Sequence, residues 1–436
     1  MNNTHIAETA LNKLKSLHVD AAEISIGETK GFSVSARLGD VETLEHYLDK
    51  SFSVTVFQNQ CTGSASSSDF SIESINATIE KACTIANFSS PDPFAGLADP
   101  KRLAKKIPDC DLYHFWNITP QEAIELAIAC EKKALNYSKK IVNSEGANVS
   151  TINSTGIYAN TLGFLGEFQV SEHSISCSVV GSDDQQMQRD YEYTVARNPA
   201  DLLSIDFVAE HAAEKTIKRL GARKIKTQTC PVIFEASVAK SLLHHFVQAI
   251  SGGNLYRQSS FLLNMLGKPI FPAFINIFQQ PHLLSAMGSA AFDQEGVATV
   301  DQHYIKNGEL VNYALGSYSA RKLGMQSTGN AGGVFNFSIS DTDVTLQQLM
   351  KKMHRGLLVT ELMGQGLNIT TGDYSRGASG FWIDNGEIQF PVEEITIAGN
   401  LKNIFADVVA IANDTDTRSS IRTGSILIDH MTVAGD

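Results

Sequence analysis

No cysteine follows Cys230 in a chain of 436 residues. The six present are Cys61, Cys83, Cys110, Cys130, Cys177 and Cys230, and none of them forms a C-x-x-C pair. They are expected as free thiols in a reducing cytoplasm. Long hydrophobic runs are also missing. No stretch reaches about 18 apolar residues, so no membrane-spanning helix and no membrane partner are expected. The opening residues MNNTHIAETALNKLKSL lack the basic stretch and apolar core of a secretory signal. Positive charge is in deficit. The net charge of −12 argues against a nucleic-acid partner, because neutralising phosphates needs a basic face. The basic run KRLAKK, Lys101 to Lys106, stands beside Pro100 and Pro108 and is expected as solvated linker. A G-x-S-x-G elbow is absent, and only His354 and His430 follow His303, so nothing supports a serine nucleophile with its base. The glycine-rich loops Gly364-Gln365-Gly366 and Thr328 to Gly333 lack the lysine and the strand-loop-helix setting of a phosphate loop.

What is present describes an ordinary globular chain. Hydrophobic residues make up 43% of it, enough for sizeable cores, and the length fits two or three domains. Apolar residues at Ile6, Ala10, Leu14 and Leu17 predict a first helix, capped by Asn3 or Thr4. Alternation predicts strands around Phe32, Val34 and Ala36, over Val41 to Tyr47, and from Ser51 to a break at Gly63. A helix capped by Asp69 should follow. Ser89 to Pro108, rich in proline and charge, reads as a linker. Thr119-Pro120-Gln121-Glu122 is a capping box with proline at the first helical position. Strands with turns at Gly146, Gly156 and Gly163 should follow, then a helix near Asp206 to Leu220. An apolar strand, Pro231 to Phe234, runs into a helix ending at Gly252-Gly253, and one more helix is expected from Leu346 to His354. The predicted class is α+β: N-terminal helix/antiparallel-sheet units, 1–110 with its linker and 111–225, followed by a β-rich C-terminal domain, 226–436.

The stretch Gly364 to Asn400 holds seven glycines and one of the two tryptophans, Trp382. Glycine at this density among β-branched and aromatic residues indicates sheet bordering a site, where backbone must approach closely. Such an edge can accept an extended peptide as an added strand. Arg321, Asp373, Tyr374 and Arg376 are the candidate substrate-binding side chains beside it; the alternative is that they tie loops together within the fold. No residue is assigned as catalytic or as a metal ligand. The helix EASVAKSLLHHF carries the adjacent pair His244-His245, but neighbours on a helix point about 100° apart and do not converge on one metal. One packed and one exposed histidine is the simpler reading.

Four long stretches resemble the TldD/PmbA family, in its PmbA (TldE) branch: GGNLYRQSSFLLNMLGKPI from Gly252, FDQEGV from Phe292, GSYSARKLGMQSTGNAGG from Gly316, and the block from Val359 through Ile404. The resemblance implies membership of a cytoplasmic two-component peptidase, TldD with TldE. That system is linked to leader-peptide removal from modified peptide precursors, to degradation of unfolded segments, and to an older label as a modulator of DNA gyrase. In the TldD branch, zinc sits on an H-E-x-x-x-H helix with a late cysteine. At the matching positions this chain has Glu235 and Lys240 in place of the histidines and Ala236 in place of the glutamate. The late cysteine is missing too. The resemblance therefore implies no zinc in this chain, a TldD-type partner that carries zinc, a peptide or unfolded polypeptide as substrate, and a homodimer as the form open to the chain when alone. The alternative function is a stand-alone peptide-binding or chaperone-like module without hydrolase activity.

Overall fold

The computed structural model describes residues 3–183 and 186–435. Helix α1 (Asn3–Ser16) buries Ile6, Ala7, Ala10 and Leu14, one helical face. Asn3 and Thr4 lie inside this helix rather than capping it, and the Thr4 hydroxyl donates to Glu167 at 2.7 Å. Strands β1 (Ala21–Arg37), β2 (Asp40–Gln58) and β3 (Cys61–Ser67) form a meander. β2 is one long strand where two were expected. Its first half, as far as Ser51, is largely exposed on both faces, so no burial enforces the alternation there. Gly63 does not break the chain. It sits within β3, where a Cβ would come within 2.1 Å of the Ala82 carbonyl oxygen, so glycine lets the next helix lie against the strand. That helix, α2 (Ile72–Phe88), is capped by Ser71, which accepts from the Ser74 N–H. Asp69 instead braces the cap by accepting from the Ser71 N–H and hydroxyl, both at 2.8 Å.

The second unit repeats this order. Helix α3 (Pro120–Asn136) starts with the expected Thr119–Glu122 capping box. Strands β4 (Ile141–Asn160), β5 (Leu165–Ser182) and β6 (Met187–Ala196) follow, then α4 (Ile205–Lys218). Gly146 and Gly156, expected at turns, lie within β4. Gly146 has φ +107 at a register shift, and Gly156 lies under the Phe168 ring. The two units share one six-stranded sheet, ordered β3-β2-β1-β4-β5-β6, in which antiparallel β1–β4 pairing joins the meanders. α1 and α2 pack on one half of a face through Ile24, Phe52, Ile75 and Ile79. α3 and α4 pack on the other half through Val34, Val149, Val179 and Val208.

The third unit is built on β7 (Gln228–Phe234) and α5 (Ala236–Ile250). Gly252 and Gly253 open a further short helix, α6 (Gly252–Tyr256), rather than ending the region. Then come β8 (Ile277–Gln279), β9 (Gln302–Lys306), β10 (Glu309–Leu310), α7 (Ser317–Lys322), β11 (Phe337–Ile339) and α8 (Leu346–Met353). The chain continues with β12 (Gly356–Met363), β13 (Asp373–Asp384), β14 (Glu387–Asn400), α9 (Leu401–Ala406), β15 (Val408–Ile411), β16 (Ile421–Arg422) and β17 (Ile426–Ala434). A small sheet runs β10-β9-β8-β11-β16. The larger one runs β14-β13-β12-β7-β17-β15, and β14 also pairs with the last residues of β17, so β14, β13, β12, β7 and β17 close into a ring. Val232 and Phe234 of β7 pack toward α5, whereas Ile233 packs toward α8, so the strand is apolar on both faces. Phe246 of α5 contacts the rings of Phe271, Phe337 and Phe405 between barrel and small sheet. The fold is α+β with a β-rich C-terminal part, as its sequence predicts.

The linker is docked. Arg321 on α7 donates from Nε to the Phe94 carbonyl at 2.6 Å, and from its two amino groups to the carbonyls of Leu97 at 3.0 Å and Gly96 at 2.8 Å. Tyr318 and Lys322 of the same helix hold Asp92. Within KRLAKK the lysines are exposed, but Leu103 bridges to Val297 and Ala104 is buried. Replacing Arg321 with alanine is expected to destabilise the fold by about 1–3 kcal/mol and to speed tryptic cleavage at Lys101, Lys105 or Lys106. Limited proteolysis alongside a denaturant titration checks this.

Candidate functional site

The polar face of α5 forms one wall of a cleft of about 860 Å³. Ser237, Lys240, Ser241, His244 and Gln248 recur on it at helical spacing, opposite the buried Ala239, Leu242, Leu243 and Phe246. β6 forms a second wall with Arg189, Asp190, Tyr191 and Tyr193. The third wall is Thr360 to Leu362 of β12, with Gln365, Leu367 and Ile369 from the loop behind it and Arg376 of β13. The glycine-rich stretch thus borders the cleft. Gly366 is pressed on β13 so closely that a Cβ would meet the Ser375 carbonyl oxygen at 1.5 Å, and only glycine lets this loop fold down.

A buried ionic knot joins these walls. Glu192 of β6 and Asp416, in the loop before β16, have side chains only 7% and 4% exposed. Arg418 donates to Glu192 at 2.7 Å and to both oxygens of Asp416 at 3.0 and 3.1 Å, and its guanidinium lies 4.3 Å over the Tyr193 ring. Lys215 of α4 completes Glu192, and Lys240 of α5 reaches Asp416 at 3.2 Å. Burial pushes the Asp416 carboxyl up, but Arg418 and Lys240 outweigh it and hold the group down at about 2. Burial likewise opposes ionisation of Glu192, and Lys215 and Arg418 overcome it, leaving it below the usual carboxylate range.

The two strands at the cleft differ in what their edges offer. β6 ends its sheet, and its outward N–H groups at Tyr191 and Tyr193 are taken by the carboxylates of Asp190 at 2.8 Å and Glu192 at 2.9 Å. The Tyr193 carbonyl accepts from Arg418 at 3.1 Å. This edge is guarded. β12 pairs with β7 only through Leu357 to Val359 and runs on to Met363 without a neighbour strand on that side.

Of the candidate substrate-binding residues, Arg376 lines the cleft. Tyr374, two residues before it on the same strand, is buried behind His245, with ring centroids 5.9 Å apart. Asp373 is exposed near the end of the strand, where it accepts from Thr371 and from Asn400 at 3.0 Å. Arg321 is remote from these three, in the linker clasp. The structure brings Tyr374 and Arg376 together and adds His245. His244 is exposed and bonded to Gln248, while His245 is packed, as the paired-histidine reading expected. Burial, with His244 and Arg376 nearby, pushes His245 down to about 4, so it is neutral at pH 7. Burial pushes Tyr374 up to about 12. Its hydroxyl, Arg376 Nε and both His245 ring nitrogens are buried without a hydrogen-bond partner, an arrangement that costs about 1–3 kcal/mol per group. Glu192, Asp416 and Arg418 carry no local sequence signal and were not anticipated.

A second cleft, of about 940 Å³, lies under the linker. Its buried carboxylate, Asp293, accepts from the N–H groups of Glu295, Val297 and Ala331, each at 2.9 Å, and so fastens loops.

Zinc does not fit the first cleft. Glu235 is the N-cap residue of α5, and its buried carboxyl, held above its usual range, accepts from Ser237 at 2.8 Å. Lys240 places an ammonium in the cleft, and no group of three His, Cys, Asp or Glu side chains among the described residues is arranged to hold a metal.

A helix-backed antiparallel sheet, a closed barrel and a cleft between them make up the fold, and family models of metallopeptidase domains match all three units. The PmbA/TldA metallopeptidase domain 1, central domain and C-terminal domain match residues 22–86, 113–220 and 227–435. Metalloprotease PmbA of Escherichia coli is 46% identical over 98% of this chain and 95% of its own length. A PmbA homologue of Haemophilus influenzae is 45% identical over 95% of this chain and 92% of its own. The chain belongs to the PmbA branch of the TldD/PmbA family. A proposed modulator of DNA gyrase from Bacteroides thetaiotaomicron superposes with TM-score 0.94 at 26% identity, covering 100% of this chain and 99% of that one. TldE from Thermococcus kodakarensis shares the fold, with TM-score 0.83 at 20% identity, covering 98% of this chain and 100% of that one.

Replacing Arg418 with methionine leaves two buried carboxylates short of a cation and is expected to destabilise the fold by about 3–5 kcal/mol in a denaturant titration. The depressed Asp416 group contributes stability that is complete above about pH 4, its unfolded range, and lost as pH falls toward 2. In Asp416→Asn this part of the acid loss disappears, which thermal melts across that window would register.

Proposed function

We propose that this chain is the non-hydrolytic subunit of a cytoplasmic heteromeric zinc peptidase. It holds an extended peptide in the cleft, and a TldD-type partner supplies the metal. The observation that carries this reading is the Lys240–Asp416 pair, with Arg418 behind it, at the place where the family resemblance puts zinc ligands. An ammonium fixed there repels a divalent cation, and a carboxylate saturated by two cations is a poor ligand. The unpaired half of β12 supports peptide binding: its backbone can pair with an added strand, whereas the guarded edge of β6 favours that side over the other. Unfolded segments and leader peptides of modified precursors are chains that can adopt this extended form. The projecting half of β2, which β3 does not cover, exposes Val41, Leu44 and Leu48 and supports a partner-facing arm, through which a homodimer also forms when the chain is alone.

The test compares the chain purified alone with the chain co-expressed with an H-E-x-x-x-H relative. The expected result is no stoichiometric zinc and no cleavage of an unstructured peptide for the single chain, with both appearing in the co-purified pair. Stoichiometric zinc and peptide cleavage by the single chain would sink the proposal.

A further inference from the structure

The orphaned polar atoms of His245, Tyr374 and Arg376 converge from two rigid elements. Tyr374 and Arg376 are two residues apart on β13, so their side chains leave the same face of the sheet. His245 projects from α5 against that face, edge-on to Tyr374. Tyr374 is 2% exposed, yet its hydroxyl has no hydrogen-bond partner among the described residues. The charges around it sharpen the picture. Of the cations lining the cleft, Arg189 pairs with Glu145, Arg219 with Asp190 and Glu361, and Lys240 with Asp416. Arg376 has no carboxylate partner among the described residues.

We infer that His245, Tyr374 and Arg376 form a subsite for the free C-terminal carboxylate of a peptide, with Leu362, Leu367 and Ile369 receiving an apolar last side chain. This rests on the peptide-binding reading of the cleft and adds the feature of the peptide that is recognised. A guanidinium fork matches the two oxygens of a carboxylate, and the tyrosine hydroxyl supplies a further donor. Neutral His245 offers one N–H and one bare nitrogen. The bare nitrogen needs a donor, and a chain terminus carries an amide N–H on the same residue as its carboxylate. A phosphodiester carries no such donor, and a phosphate monoester has lost most of its second proton at pH 7. A side-chain carboxylate holds its backbone N–H at the far end of a flexible stem.

Fluorescence anisotropy on the purified full chain tests this with three labelled, unstructured octapeptides. One ends in leucine as the free acid, one is its C-terminal amide, and one is the amide with glutamate at the penultimate position. The expected result is tightest binding of the free acid, with both amides weaker by about ten- to a hundred-fold. Arg376→Met and Tyr374→Phe should abolish that preference. Tyr374→Phe should keep or raise its melting temperature, because it removes a buried hydroxyl that has no hydrogen-bond partner among the described residues. Equal binding of acid and amide overturns the subsite and leaves the peptide cleft standing. Rescue by the glutamate overturns it in favour of a side-chain carboxylate. Loss of stability in Tyr374→Phe with the acid preference intact shows the hydroxyl working within the fold, which also overturns it. No binding of any peptide removes the peptide reading itself.

Discussion

Two buried carboxylates that must stay ionised hold this molecule's working surfaces in register. Glu192 and Asp416 lie on different structural units, and each is kept charged by cations from elsewhere: Lys215 from α4, Lys240 from α5, and Arg418 bridging both. Removing such groups from water is costly, and replacing the whole set with apolar side chains of equal volume is often no worse for stability. Its effect is therefore geometric. The knot admits one placement of β6 relative to α5, because any sliding would strand a charge. The cleft's width follows from that placement, and so does the guarding of β6, since the same carboxylate and arginine that form the knot also satisfy the Tyr193 backbone.

The cleft's other wall is governed by the barrel. Beyond Val359, β12 outruns β7 because the chain after Phe234 turns into α5, and the Glu235 N–H takes the Val359 carbonyl at the point of departure. The unpaired half of β12 is thus a direct result of a strand giving way to a helix. Gly366 lets the loop behind β13 press down and form the floor. Arg321 works at a distance from all this, gripping the linker carbonyls of Phe94, Gly96 and Leu97 so that the first two units and the third keep a fixed relation.

Much of the fold could be read from local signals that tertiary structure does not override. The Thr119–Glu122 box, the apolar run into α5 and the helix–strands–helix order of both N-terminal units depend on neighbours in sequence. The misreadings share a cause. Gly63 looked like a strand break and Gly146 and Gly156 like turns, but each answers to something far along the chain or across the sheet: a helix backbone, a bulge, a phenylalanine ring. The double strand expected in β2 failed because solvent on both faces removes the pattern that marks continuity. The site was partly legible. Tyr374 and Arg376 stood out in a glycine-rich stretch, and attention to Glu235 and Lys240 came from resemblance alone. Glu192 and Arg418 join residues 226 apart, and no periodicity or spacing announces such a pair.

The ring of strands that includes β7 and β14 is completed by β17, which occupies Ile426–Ala434, while β7 begins at Gln228. During synthesis from the N-terminus, the six-stranded sheet can assemble on the ribosome with its own helices. β7 has neither of its neighbours until β12 and then β17 have emerged, and the loop that carries Asp416 and Arg418 appears only shortly before β17. Of the three units described, the cleft between them is therefore among the last parts to take shape, after β17 has emerged.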